Sequence, residues 1–406
     1  MKQPIYLDYQ ATTPLAPEAA EAIRPWLEPG FANPHSSHRM GREAAAAVEV
    51  ARQRVTAALM APPRPERNEE HRSSAIEGTG NESPAGSSTP LRPKGNLYFT
   101  SGATEAINWA LKGTASRLPP DRRRIVTLAT EHAAVLDTVE YLGGLGFEVE
   151  ILPVAPDGLV DLATVEAALA RPTGLVAAML VNNEIGVIQP VAEIGAMARA
   201  AGALFLCDAV QGFGRIPVPL ADCDMVAISA HKVHGPKGIG ALWVRGGVEL
   251  DPLLHGGGQE GGVRSGTLSP ALCAGFGEAA RAMVERASQD REHIERLWGR
   301  ALRTLSGWIL NGSAERRYRG NLNVRREGVD SARLISELRG IAFSAGSACA
   351  SGSDRPSHVL ASLGLTDRQA RSSLRLGFGR YTSEEELADA LAQIDSAADR
   401  QLSFAE

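Results

Sequence analysis

The first residue that could do chemistry is a lysine close behind an apolar run. Met225–Ser229 is predicted to form a buried strand, and Lys232 follows it after two residues. A lysine amine held at a strand end can attack a carbonyl carbon and form a Schiff base with it. Lys237 is a second candidate, but it stands in a turn between a proline and a glycine. We therefore predict that Lys232 is the reactive amine.

An aspartate also follows a predicted strand. Asp208 comes directly after the apolar run 203–207 and precedes Lys232 by 24 residues, which leaves room for one crossover between neighbouring strands. In a parallel sheet, ligands bind where the carboxyl ends of the strands meet. A buried carboxylate is rarely tolerated without a partner, although an isolated aspartate here could equally be a helix N-cap. The lysine downstream favours the binding site.

A third feature could bind an anion. Ser101 and Gly102 form a turn between a predicted strand, 97–100, and a predicted helix, 103–116. The free N–H groups at a helix N-terminus bind phosphate, but many helices begin with such residues, so the turn alone is a weak signal. An amine, a strand-end carboxylate and an anion site together match the needs of pyridoxal phosphate.

The order of several motifs makes this interpretation specific. The chain resembles the class V aminotransferases in residues 100–105, 130–132, 181–186, 208–211 and 229–232. More narrowly, it resembles the cysteine desulfurases in residues 6–14, 33–38, 256–267, 344–353 and 375–380. The resemblance covers nearly the whole chain apart from residues 62–95. It implies the fold of the type I pyridoxal-phosphate-dependent transferases.

The resemblance assigns four residues to the cofactor ring. Lys232 would carry the cofactor as a Schiff base and then move the α-proton of the substrate. Asp208 would pair with the ring nitrogen, and Gln211 would bond the phenolate oxygen. His132 would stack on the ring face and could move a proton at the substrate thiol.

Further residues are assigned to the phosphate. Ala103, Thr104, Ser229 and His231 would contact or hold the cofactor's phosphate end. Thr267 would reach the phosphate of a neighbouring subunit, which implies a homodimer.

The substrate contacts come from three more residues. Asn183 would contact both cofactor and substrate, and Arg375 would grip the substrate carboxylate as a bidentate pair. Asn33 is a further candidate for the same carboxylate. Arg375 is followed by Leu and Gly where the family usually has a β-branched residue and Ser, so Arg371 is the fallback.

Four cysteines are present, and one stands apart. Cys207 and Cys273 lie in apolar patterns typical of buried small side chains. Cys223 lies between two aspartates, which disfavour a thiolate. Cys349 lies among Ser, Gly and Ala in a predicted exposed loop, and the resemblance implies that it is the catalytic nucleophile.

The resemblance thus implies a cysteine desulfurase. It would convert L-cysteine to L-alanine and hold the sulfur as a persulfide on Cys349. The sulfur would pass to an acceptor or scaffold protein, with iron–sulfur cluster assembly as the expected destination. A class V aminotransferase or a selenocysteine lyase would share the cofactor site, and Cys349 argues against the aminotransferase.

Apolar runs alternating with helical patterns predict an α/β domain with a mainly parallel sheet. The predicted strands are 97–100, 125–128, 147–152, 175–181, 203–207 and 225–229, and predicted helices include 103–116, 133–142 and 194–201. After about residue 268 the pattern changes to a smaller α+β domain. We predict a cofactor-binding domain at 15–265 and a small domain made of 1–14 and 266–406. Residues 62–95, rich in Pro, Gly, Ser and charges, are predicted to be a polar surface insertion.

Composition limits the other possibilities. The net charge of −5 gives no basic footprint for nucleic acid. No apolar run is long enough to span a bilayer. The N-terminus lacks the apolar core of a signal peptide, and cysteines are few and scattered, so a reduced, cytoplasmic protein is expected. No metal site is predicted.

Overall fold

The computed structural model describes residues 3–61, 94–346 and 357–403. Cys349 and residues 62–93 of the predicted insertion lie outside these ranges. Within them, no helix is both long and apolar enough to cross a membrane.

The described residues form 13 strands and 11 α-helices. The strands are β1 (Ile5–Tyr6), β2 (Gly95–Thr100), β3 (Arg124–Leu128), β4 (Glu148–Leu152), β5 (Leu175–Met179), β6 (Leu204–Asp208), β7 (Met225–Ser229), β8 (Gly240–Arg245), β9 (Ile309–Leu310), β10 (Asn321–Arg325), β11 (Ile341–Ala342), β12 (Ser344–Ala345) and β13 (Ser373–Gly377). The helices are α1 (Pro17–Ile23), α2 (Arg39–Leu59), α3 (Ala103–Ala115), α4 (Ala133–Gly144), α5 (Leu162–Leu169), α6 (Val191–Ala200), α7 (Pro270–Thr304), α8 (Ser331–Glu337), α9 (His358–Ser362), α10 (Asp367–Arg371) and α11 (Glu384–Ser403).

A seven-stranded sheet organises the larger part of the molecule. Its strand order is β2-β8-β7-β6-β5-β3-β4. All neighbours pair in parallel except β8, which runs antiparallel to both β2 and β7. The predicted α/β class with a mainly parallel sheet is therefore confirmed.

Helices cover both faces of this sheet, because apolar side chains that alternate in direction along each strand need to be buried on both sides. In β7, Val226 and Ile228 pack in the core that includes side chains of α2 and α7. Met225 and Ala227, one residue out of step, pack with side chains of α3 and α4. Successive strand residues point to opposite faces, so a strand that is apolar throughout must be buried on both sides.

A second layer lies towards the C-terminus. Strands β12-β13-β10-β9 form an antiparallel sheet, and β1 pairs in parallel with β11. These strands share a separate core with α11 and the end of α7, to which Leu7 also belongs. The smaller α+β part is thus confirmed as a fold class, while the domain boundaries at 15–265, 1–14 and 266–406 stay a prediction.

One boundary of the predicted insertion is corrected. Gly95, its last predicted residue, is the first residue of β2 and pairs with Arg245 of β8. A Cβ at Gly95 would lie 2.5 Å from the Trp243 ring, so the strand packs here through bare backbone. In the sequence Gly95 looks like part of a loop, but in the fold its lack of a side chain lets the strand pack against Trp243.

Candidate active site

A cavity of about 570 Å³ lies at the carboxyl ends of β6 and β7. It brings together ten of the residues singled out in the sequence: Ala103, Thr104, His132, Asn183, Asp208, Gln211, Ser229, His231, Lys232 and Arg375. Nine of them lie at the ends of or after β5, β6 and β7 or at the starts of α3 and α4, and they converge because parallel strands present their carboxyl ends at one edge. Arg375 comes from β13 of the second sheet.

Lys232 follows β7 in a single turn of 3-10 helix, Ala230–Lys232. Its Nζ donates to the main-chain oxygen of Ala11 at 2.9 Å and to that of Gln10. Gln211 reaches the same segment, because its Nε2 donates to the Gln10 oxygen at 2.9 Å. The N-terminal segment is therefore one wall of the cavity and holds both side chains.

Asp208 is the last residue of β6 and is buried. Its Oδ1 accepts a hydrogen bond from the Val210 N–H at 2.9 Å. Burial raises the pKa of the Asp208 carboxyl, and nearby His132 and Lys232 oppose that shift. A buried carboxylate needs a cation, and a protonated pyridine nitrogen would supply one.

His132 caps the N-terminus of α4. Its Nδ1 accepts from the Ala134 N–H at 3.0 Å. Burial lowers the pKa of His132; the Asp208 charge opposes this shift, and the Lys232 charge adds to it. The ring is therefore neutral at neutral pH, with its proton on Nε2, the nitrogen that the cap leaves available.

The predicted anion-binding turn at Ser101 and Gly102, called the anion turn below, precedes α3, whose N-cap is Gly102. The backbone of Gly240 in β8 passes so closely that a Cβ there would lie 2.7 Å from the Gly102 carbonyl carbon and 2.9 Å from the Ala103 nitrogen. Glu105 fixes the other side, since its carboxylate accepts from the Ser101 N–H at 2.7 Å. These contacts hold the turn in place before any ligand arrives.

His231 lies beside the same cavity. Its Nδ1 is 3.1 Å from the hydroxyl of Thr12. Burial first, and then the charge of Lys232, lowers the pKa of His231 to about 4. A neutral imidazole keeps one N–H, which suits it to donate to a phosphate oxygen rather than to add charge.

Arg375 lies in β13, and its side chain is 2% exposed. Its Nη2 donates to the Asp8 carboxylate at 2.8 Å, and its Nη1 donates to the Asn183 main-chain oxygen at 3.2 Å. Its Nε is buried and has no hydrogen-bond partner in the described part of the chain. A substrate carboxylate would satisfy this donor, because buried polar groups are nearly always hydrogen-bonded.

Two predicted residues among those described are not brought to this cavity. Asn33 and Thr267 are exposed and do not line it. Thr267 was predicted to act in a neighbouring subunit, so its role stays a prediction, as does that of Asn33. Cys349 lies outside the described residues.

The sequence reasoning missed the contribution of the N-terminal segment. Gln10, Ala11 and Thr12 line the cavity, and Asp8 holds Arg375. A signal was present, since residues 6–14 carry part of the family resemblance, but no role was drawn from it.

The donor set fits pyridoxal phosphate. The cavity offers an amine for the aldehyde, a buried carboxyl group for the ring nitrogen, and a helix start flanked by hydroxyls for the phosphate. The orphaned Nε of Arg375 adds a place for a carboxylate on the substrate side.

A mainly parallel sheet with these groups at its strand ends defines the class of type I pyridoxal-phosphate-dependent transferases. Comparison with known proteins identifies the family within that class. The chain belongs to the class V aminotransferase family, whose model, Aminotransferase class-V, matches residues 5–66 and 91–390. It is 42% identical to the cysteine desulfurase IscS of Rickettsia akari (strain Hartford), over 98% of this chain and 92% of that protein.

Solved structures agree. A NifS-like protein superposes with a TM-score of 0.84 at 32% identity, covering 99% of this chain and all of the other. The structure of SspA in complex with cysteine gives a TM-score of 0.75 at 33% identity, over 93% of this chain and 99% of the other. The resemblance to cysteine desulfurases is confirmed.

Proposed function

We propose that this chain is a pyridoxal-phosphate-dependent cysteine desulfurase. It converts L-cysteine to L-alanine and passes the sulfur, as a persulfide on Cys349, to an acceptor protein. The observation that carries the proposal is the convergence of Lys232, Asp208 and Arg375 on one cavity. The full-length similarity to named cysteine desulfurases supports the choice of substrate.

The cofactor contacts follow from the cavity. Lys232 would bind the aldehyde carbon, Asp208 would pair with the ring nitrogen, and Gln211 would bond the phenolate oxygen. The α3 N-terminus with Thr104, together with Ser229 and His231, would hold the phosphate. Bound pyridoxal phosphate supplies an electron sink that lets the α-proton leave and the β carbon–sulfur bond break.

The remaining chemistry belongs to side chains. Arg375, held by Asp8, orients the substrate by its carboxylate. Lys232 moves the proton at the α carbon. Neutral His132 carries its proton on Nε2, because Nδ1 accepts from the Ala134 N–H, and Nε2 can donate that proton at the substrate sulfur.

The sulfur step needs an accessible thiol. Cys207, Cys223 and Cys273 are free but buried, and burial raises the pKa of Cys273 to about 12. Cys349, outside the described residues, is therefore assigned on its small-residue surroundings and on the family resemblance. Its thiolate attacks the substrate sulfur: an S–S bond forms, the Cβ–S bond breaks, and the electron pair left on the carbon skeleton takes a proton to give alanine.

The proposal extends to partners. A second copy of the chain completes the phosphate site through Thr267, and a scaffold protein receives the sulfur for iron–sulfur cluster assembly in the cytoplasm. Sedimentation of the purified protein tests whether two copies associate. A Thr267→Ala variant should remain dimeric in the same experiment yet bind the cofactor more weakly in a separate titration.

The proposal is tested by supplying L-cysteine, L-selenocysteine and L-alanine with pyruvate in separate reactions. Alanine in step with sulfide release from L-cysteine, in the presence of a reducing thiol, supports the desulfurase. Turnover of L-selenocysteine alone would instead identify a selenocysteine lyase, and amino-group exchange between alanine and pyruvate an aminotransferase.

A further inference from the structure

A second cavity, of about 410 Å³, adjoins the active site. Lys232 lines both cavities, but otherwise their walls are different. The second cavity is bounded by the turn after Gln211, by the middle of α7 and by the segment before β10. None of its other lining residues has a part in the proposed reaction.

The charge of its lining is strongly one-sided. Besides Lys232, whose amine the cofactor would occupy, five arginine side chains line it, against two carboxylates. Both carboxylates are already engaged: Asp290 pairs with Arg380 at 2.7 Å, and Glu295 pairs with Arg319. The chain as a whole carries a net charge of −5, so this concentration of positive charge is local.

Arg317 forms the buried part of the wall, being 4% exposed. Its guanidinium donates only to main-chain oxygens, such as that of Ser313 at 3.0 Å, and lies 5.1 Å from the Trp298 ring. Its Nε is buried without a hydrogen-bond partner among the described residues. Because no carboxylate compensates its burial, the pKa of Arg317 falls to about 9.

Arg215 supplies a second cation. It donates to the Gln211 side chain and, at 3.1 Å, to the Lys232 main-chain oxygen. Its guanidinium lies 5.0 Å from the ring of Tyr318, the residue next to Arg317. In the described part of the chain it forms no ion pair, so two guanidinium groups without a carboxylate partner line the same cavity.

We propose that this second cavity binds a small organic anion bearing a carboxylate or phosphate group. Guanidinium groups bind such oxyanions with paired, charge-assisted hydrogen bonds. Apolar side chains of Ile216, Met283 and Ile294 line the same space and suit a short carbon skeleton. The volume admits a small metabolite but not a macromolecule.

The site can be tested with protein saturated with pyridoxal phosphate, so that the anion turn of α3 is filled. Succinate and inorganic phosphate are titrated separately by calorimetry at low salt. The expected result is saturable binding of at least one probe, one per chain, with a dissociation constant on the order of 1 mM or below. The probe that binds more tightly distinguishes a carboxylate ligand from a phosphate ligand.

Ala287 offers a matched pair of variants, because it lines the cavity from within α7. Ala287→Glu places a carboxylate beside the cations, whereas Ala287→Gln adds nearly the same volume without charge. Ala287→Glu is expected to bind the probe at least about tenfold more weakly than Ala287→Gln, the size of one charge-assisted hydrogen bond.

The outcomes are clear-cut. An absence of saturable binding in the wild-type protein overturns the proposal, as does equal behaviour of the two Ala287 variants. The titration needs no turnover, so a failure of the desulfurase assignment leaves the result interpretable.

Discussion

Asp8, near the N-terminus, forms an ion pair of 2.8 Å with Arg375, which lies 367 residues further along the chain. The pair connects the segment that contacts Lys232 to β13, the strand that carries Arg375. Arg375 is the proposed clamp for the substrate carboxylate. Arg375 is almost fully buried, so its direction is set by Asp8 and by the Asn183 main-chain oxygen. The N-terminal segment is thereby part of the active site.

An Asp8→Asn variant is expected to raise KM for L-cysteine about tenfold, with a smaller effect on kcat. Loss of a charge-assisted hydrogen bond costs about 1.5–3 kcal/mol, and here it would loosen the group that holds the substrate carboxylate. Steady-state kinetics would show the split, with Arg375→Lys as the comparison. An unchanged KM in Asp8→Asn, beside a raised KM in Arg375→Lys, would show that Asp8 does not position the clamp.

Gly240→Ala is expected to weaken cofactor binding and to destabilise the fold by about 1–3 kcal/mol, the usual cost of overpacking. The new Cβ would press on the Gly102 and Ala103 backbone in the anion turn. Gly144→Ala, in α4, is the control, because a Cβ there meets nothing within 4 Å. Equal cofactor affinity in the two variants, measured by equilibrium dialysis, would contradict the role of this close approach.

Stability is expected to fall as the pH drops below about 6.5. Burial lowers the pKa of His234 to about 3 from its ordinary 6.5. The unfolded chain then takes up a proton on this residue that the folded chain refuses, so stability is present above pH 6.5 and is lost progressively towards pH 3. The contribution is about 1.4 kcal/mol per pH unit.

Urea unfolding at pH 7, 6 and 5 measures that slope. His234→Asn should make the slope less steep without abolishing it, because burial also lowers the pKa of His231. Asparagine tolerates the positive φ of 65° at this position. His255→Asn, at an exposed histidine, should leave the slope as it is. If both variants keep the wild-type slope, burial of His234 is not its cause.

Cys349→Ala is expected to retain the bound cofactor but to form no alanine from L-cysteine. The three other thiols are buried and have no access to substrate. Amino-acid analysis after incubation with L-cysteine, in the absence of any added thiol, gives the result directly. Alanine formed at the wild-type rate would remove Cys349 from the mechanism.

Much of the sheet could be predicted because its strands are short, continuous apolar runs. The strand predicted at 225–229 is observed as Met225–Ser229, and the others differ by a few residues at their ends. Strand β8 (Gly240–Arg245) was missed, because it enters the sheet antiparallel and breaks the alternation of strands and helices from which the others were read.

Contacts between distant segments could not be predicted in the same way. The strand-end rule placed Asp208 and Lys232 together because both belong to one sheet. The Asp8–Arg375 pair depends on how β1, β11 and β13 assemble, which no local pattern encodes. The second cavity draws Arg215 and Arg317 from separate segments, so its charge is visible only after folding.

The central claim is that Lys232 holds pyridoxal phosphate. Borohydride reduction of the cofactor-loaded protein, followed by peptide mass spectrometry, tests it most directly, because reduction fixes a Schiff base to its lysine. The account predicts a visible absorbance band that responds to L-cysteine and disappears on reduction, with the label on Lys232. A label on Lys237, or a protein that retains no cofactor after incubation with it, would contradict the account.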